Sequence, residues 1–204
     1  MNTERSSALT TEQIINLIGQ FVGSVAIAVA FLSFQAKKKG AILAIQALAN
    51  FIWAVHFYMI GAIAGCVLNL IATGRNLIFA ARDNNKWLQG VWLPSAISVV
   101  IAVASILTRE TWFDVILLPS TILSTYTYCL GSERIVRNST VFVSLTWLVF
   151  NVVNFSVSGV IAEIFNLTSL TIAIIRFRNR ADTREIKLDV NNTPDQTEKN
   201  EEIL

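Results

Sequence analysis

Apolar residues run through this chain in long blocks separated by short polar clusters, at about 14–35, 41–58, 61–81, 89–107, 112–130, 139–157 and 159–177. A helix needs roughly 20 apolar residues to cross a hydrocarbon core of about 30 Å, so the pattern predicts seven transmembrane helices. The blocks are continuous rather than striped or alternating, which points to lipid as the solvent. Period-2 alternation is absent, so a barrel is not expected. Helices are expected because backbone in lipid must satisfy its own hydrogen bonds. Two connections, Met59-Ile60-Gly61 and Val157-Ser158-Gly159, are so short that each predicts an antiparallel hairpin. Beyond the last block, 181–204 is rich in Asp, Glu, Asn and Thr and lacks an apolar face, so it reads as a disordered cytoplasmic tail. The expected organisation is a seven-helix transmembrane domain over 1–180 followed by that tail.

Composition agrees with the pattern. Of 204 residues, 53% are hydrophobic and 15% charged, against roughly 25% charged in a soluble domain. One His and two Cys leave little for a zinc cluster or a thiol redox pair, and no metal or cofactor is expected. A net charge of +2 gives no reason to expect nucleic acid. A signal peptide is the alternative for the first block, but Glu4, Arg5 and Glu12 precede it and it is too long for a signal core.

The distribution of charge says more than its sum. With the N-terminus outside, the inner loops collect Lys37, Lys38, Lys39, Arg82, Lys86, Arg134, Arg137, Arg176, Arg178 and Arg180, and the outer side keeps Arg5 and Arg109. The positive-inside rule then places the N-terminus outside and the C-terminus in the cytoplasm.

Sliding the chain by 98 residues sets span two on span six and span three on span seven, with His56-Phe57 on Asn154-Phe155 and Gly61 on Gly159. That suggests two parallel three-helix repeats, 14–81 and 112–177, joined by a linker helix at 89–107. With Asn16-Leu17-Ile18-Gly19, Ile52-Trp53 and Leu68-Asn69 in the first half, this plan resembles the PQ-loop and SWEET transporter superfamily. The Pro-Gln pair is absent, since Phe34-Gln35 keeps only the Gln. A closer resemblance, carried by HFYMIGA at 56–62, GRNLI at 74–78, LLPS at 117–120 and IIRFR at 174–178, is to the YgjV-type bacterial inner-membrane family.

Polar groups inside the spans are the candidate chemistry. Trp53 and Asn69 lie eight residues either side of Gly61, and Asn151 and Asn166 lie eight and seven from Gly159. At about 1.5 Å per residue all four sit roughly 12 Å from a turn, near mid-membrane. As a layer they suit a small neutral solute bound through amides and an indole face. The SWEET resemblance implies the same role for Trp53, Asn69 and Asn166. The competing reading makes each Asn interhelical glue. Span five adds a hydroxyl stripe, in which Ser120, Ser124 and Tyr128 are candidate cavity-lining residues. His56, Asp114, Asn154 and Glu163 are candidates for an outer gate or proton-sensitive cluster. Arg75, six residues from the inner end of span three, is expected to snorkel toward the interface, with gating or anion attraction as the alternative. Gly19, Gly23 and Ala26 allow close packing of span one.

The sequence therefore predicts a small-solute transporter that rocks two triplets about an Asn–Trp layer. The alternative is a non-transporting sensor or assembly protein on the same fold. No paired Asp, Ser–His set or metal-ligand spacing occupies one layer, so an enzyme is not expected. The expected surroundings are the lipid bilayer, an unidentified solute and, left open, further copies of the chain.

Overall fold

In the computed structural model, the structure describes residues 10–33, 36, 39–82, 85–130 and 133–192. Among these are seven α-helices and no strands: α1 (Thr11–Ser33), α2 (Lys39–Met59), α3 (Ile63–Ala81), α4 (Trp92–Leu107), α5 (Leu117–Leu130), α6 (Glu133–Val153) and α7 (Val157–Asn192). Lys37, Lys38 and Phe34-Gln35 lie outside the described residues.

Four stretches are long and apolar enough to cross a membrane: Thr11–Ser33, Gly40–Met59, Ile63–Ala81 and Trp112–Leu130. Trp92–Leu107, Asn138–Val153 and Val157–Ile172 are shorter apolar helices. The fourth long stretch joins a 3₁₀ turn, Trp112–Ile116, to α5. Prolines set two of these beginnings. Pro94 and Pro119 each occupy the third position of their helix, where a missing N–H leaves no intrahelical bond unmade.

The chain divides into two compact units, Met1–Leu167 and Thr168–Leu204. In the first, Phe57, Leu68, Ile101, Leu117 and Phe150 form a core drawn from α2 through α6. A second cluster of Leu43, Phe79, Leu93 and Cys129 draws on α2 to α5. Lipid tails are as apolar as these side chains, so packing contributes dispersion and fit rather than removal from water. Fit is clearest on α1, which buries Gly19, Gly23 and Ala26 and turns Leu17, Phe21 and Leu32 outward.

In the second unit, helix continues to Asn192. This differs from the disordered tail expected from 181 onward. No Gly or Pro occurs between Val160 and Thr193, and Pro194 is the first breaker. The rest of that tail, 193–204, lies outside the described residues.

Candidate functional site

Two polar networks stand inside the first unit. The first joins three helices at the end of the bundle that carries the α2–α3 and α6–α7 turns. His56 is fully buried, with Nδ1 2.7 Å from the Gly19 carbonyl and Nε2 2.7 Å from the Ser156 hydroxyl. A carbonyl only accepts, so Nδ1 carries the hydrogen and Nε2 accepts from Ser156. The Gly159 N–H in turn donates to Ser156 Oγ at 3.2 Å, making Ser156 the N-cap of α7. Beside it, Gln20 Nε2 donates to the Phe155 carbonyl at 3.1 Å. Gln20 Oε1 accepts from the Ser158 N–H and hydroxyl at 3.1 and 3.2 Å. The approach requires Gly23, because a Cβ there would strike the Ser158 side chain and His56 Nδ1. Trp53 packs edge-on against His56 with ring centroids 5.2 Å apart, and Phe57, Trp147 and Phe150 continue the aromatic cluster.

The two turns share one hydrogen-bond pattern. Backbone bonds Ile60→His56, Gly61→Tyr58, Ala62→Phe57 and Cys66→Ala62 recur as Asn154→Phe150, Phe155→Val152, Ser156→Asn151 and Val160→Ser156. These pairs are 94 residues apart, one helical turn from the 98 suggested by matching Gly61 to Gly159. The second connection accordingly lies between Val153 and Val157, ahead of Val157-Ser158-Gly159. The shift arises because the left-handed position held by Gly61 (φ 81°) in the first turn is held by Phe155 (φ 51°) in the second. The new pairing sets Trp53 on Trp147, Gly65 on Gly159 and Asn69 on Glu163. The two glycines serve alike: a Cβ on Gly65 would strike the Phe57 ring, and one on Gly159 would strike Asn151, the partner of Phe57 in the pattern.

The second network joins α3 to α5. Arg75 does not snorkel; it is 6% exposed and turned into the bundle. Its Nη1 donates to Ser124 Oγ and Thr125 Oγ1, both at 3.0 Å, and its Nε to Asn76 Oδ1 at 3.3 Å. The guanidinium carbon stands 5.3 Å from the centre of the Tyr128 ring. Ser120, Thr121, Ser124, Thr125 and Thr127 are all buried and all donate to carbonyls of α5 itself. Two of those hydroxyls keep lone pairs that accept from Arg75.

The remaining candidates are dispersed. Asn69 and Asn151 are buried, and each amide donates one turn back on its own helix, to Gly65 and Trp147 respectively. The Asn151 oxygen is buried without a partner, against Gly159. Asn154 also bonds one turn back, to Phe150. Asn166 is exposed and donates to Glu163 Oε2 at 3.4 Å, with Ser144 also on that carboxylate. The Asp114 carboxylate accepts from the N–H groups of Glu110 and Thr111 and so closes its own turn. Among the described residues, no hydrogen bond joins any two of Trp53, Asn69, Asn151 and Asn166.

Sequence reasoning missed Gln20, Ser156 and the hub role of Arg75. Ser156, three residues before Gly159 at the start of an apolar run, carried a legible N-cap signal. Gln20 had no such signal. It also missed Arg82, whose three nitrogens donate to the carbonyls of Leu88, Cys129 and Gln89 at 3.0, 2.6 and 2.9 Å.

Against known families, residues 17–181 match the model of Imp-YgjV, described as a bacterial inner membrane protein. No curated protein matches. No solved structure matches either.

Proposed function

The chain belongs to the Imp-YgjV family of bacterial inner membrane proteins, and from that setting we propose that it carries a small polar solute across the bilayer. The supporting observation is the concentration of buried polar groups on two facing helices. α3 contributes Asn69, Arg75 and Asn76, and α5 contributes Ser120, Thr121, Ser124, Thr125 and Thr127. Polar and ionisable groups are expensive in hydrocarbon and collect where a polar cargo or water passes. In this reading all seven helices cross, with the N-terminus outside, the C-terminus inside, and the turns of α2–α3 and α6–α7 on the outer face.

The network around His56 then acts as the outer closure, and the α3–α5 seam as the binding surface. Rocking of two triplets, as in the SWEET-like plan, would have to break the His56–Ser156, Gln20–Phe155 and Gln20–Ser158 links, which join one triplet to the other. At about 1 kcal/mol net per hydrogen bond, that demand totals a few kcal/mol. A difference of that size keeps the open form a minor but accessible state.

The test is uptake by proteoliposomes holding the purified chain, using a panel of radiolabelled amino acids, sugars and carboxylates. Solute-dependent uptake lost in Asn69→Ala and Thr125→Val, but kept in Asn166→Ala, supports the seam. Absence of flux for the whole panel, with a protein partner retained through purification, would support the non-transporting alternative.

A further inference from the structure

Among the described residues nothing balances the charge of Arg75. A guanidinium stays protonated under all ordinary conditions, and withdrawing one from water is costly unless a counter-charge meets it. Here the neighbours are two hydroxyls, one amide oxygen and one aromatic face. Among the described residues no carboxylate lies within ion-pair reach of it. Ser124 and Thr125 offer only lone pairs, because their hydrogens are committed to the Thr121 carbonyl at 2.9 and 2.8 Å.

One edge of the guanidinium is left open among the described residues. Nε and Nη1 are engaged, whereas Nη2 and its two hydrogens meet no acceptor among the described residues. Nη2 is also not among the buried atoms lacking a partner, so it retains accessible surface. A fixed, buried cation with an open donor edge, aimed by packing against Tyr128, is the arrangement that receives an oxyanion.

We propose that Arg75 is the anchor of a binding site for a small water-soluble oxyanion, a carboxylate or phosphate, in the α3–α5 seam. Ser124, Thr125 and Asn76 position the guanidinium, and Tyr128 covers one face. Nη2 makes the charge-assisted bonds to the ligand. The assignment deepens the carrier reading, on which it rests only for the claim that the bound anion is cargo. It also replaces the neutral solute suggested by the Asn–Trp layer.

The experiment is thermal unfolding of the full chain in neutral detergent at constant ionic strength. Chloride gives the baseline, and acetate, succinate and inorganic phosphate are the probes, with phosphatidylglycerol in a separate arm. The expected result is a Tm raised by at least one of the three soluble oxyanions and a shift absent in Arg75→Gln. Arg75→Lys keeps the charge without the fork, and its apparent affinity is expected to fall about tenfold, equivalent to 1.4 kcal/mol. That variant decides the matter if Arg75→Gln does not fold, an unchanged affinity overturning the proposal. A shift that persists in folded Arg75→Gln, or none with any soluble oxyanion, overturns it as well. Stabilisation by phosphatidylglycerol alone would assign the charge to a lipid headgroup and overturn the solute site. Binding without flux in proteoliposomes would leave the site standing and remove the carrier reading. Flux of neutral solutes with no oxyanion binding would do the reverse.

Discussion

His56 and Ser156, a hundred residues apart in sequence, meet ring nitrogen to hydroxyl at 2.7 Å. The same hydroxyl caps α7, so one oxygen ties α2 to the α6–α7 turn while the other ring nitrogen ties α2 to α1. Ser156→Ala should therefore lower stability by about 1–2 kcal/mol, through a lost cap and an unsatisfied imidazole. In a double-mutant cycle with His56→Phe, the coupling should be about 1 kcal/mol. Denaturation in mixed micelles measures it; additive effects would show that the bond contributes nothing.

Glycine replacements should separate by what each Cβ meets. Gly23→Ala and Gly159→Ala drive a methyl into Ser158 and Asn151, and should each lower stability by about 1–3 kcal/mol. Gly74, also within a helix, has nothing within 4 Å of a built Cβ. Gly74→Ala should be neutral or stabilise by up to about 1 kcal/mol. Thermal unfolding of the three variants side by side provides the comparison.

The two left-handed turn residues make an opposed pair. Gly61→Ala imposes an unfavourable φ and should destabilise by about 1 kcal/mol, while Phe155→Gly relieves one and should stabilise by a similar amount. Phe155 is 82% exposed, so little packing is forfeited in the exchange. Opposite signs in the same unfolding assay are the expected outcome.

Arg82 closes the α3–α4 connection and caps the end of α5 through three carbonyls. Arg82→Ala should destabilise by about 3 kcal/mol, since bonds from a charged donor are the stronger kind. Arg82→Lys should recover only part of that, because an ammonium lacks the fork. Folded yield on gel filtration, followed by unfolding, tests both.

Orientation is open to direct measurement. The basic bias of the loops predicts an external N-terminus and a cytoplasmic C-terminus. A fluorescent reporter that matures only in the cytoplasm should be bright at the C-terminus and dark at the N-terminus. The reverse pattern would invert every assignment of outer and inner face made above.

The helices were legible because lipid imposes a length on apolar runs, and α2 and α3 end within two residues of their expected bounds. The second turn was misplaced because glycine is the usual sign of a left-handed residue, and Phe155 occupies that position instead. The shift changes the correspondence between the halves: Asn69 falls on Glu163, one helical turn before Leu167, where the 98-residue match sets it. Arg75 was misread for a different reason. Its distance from the helix end gave its depth, but direction around the helix axis depends on neighbours that no local pattern names. The hydroxyls of α5 were visible as a stripe, and only the arrival of Arg75 from another helix distinguishes Ser124 and Thr125 from the rest.

The connection between α2 and α3 has a consequence for how the protein is made. Only Ile60, Gly61 and Ala62 separate Met59 from Ile63. A linker that short keeps the end of one helix and the start of the next within about 10 Å of each other at the same membrane face. An insertion route in which the two helices enter the bilayer together, as a hairpin, fits a connection of this length. Anything that loosens Gly61 would then act first during biogenesis, lowering the amount of inserted protein before it altered the finished fold.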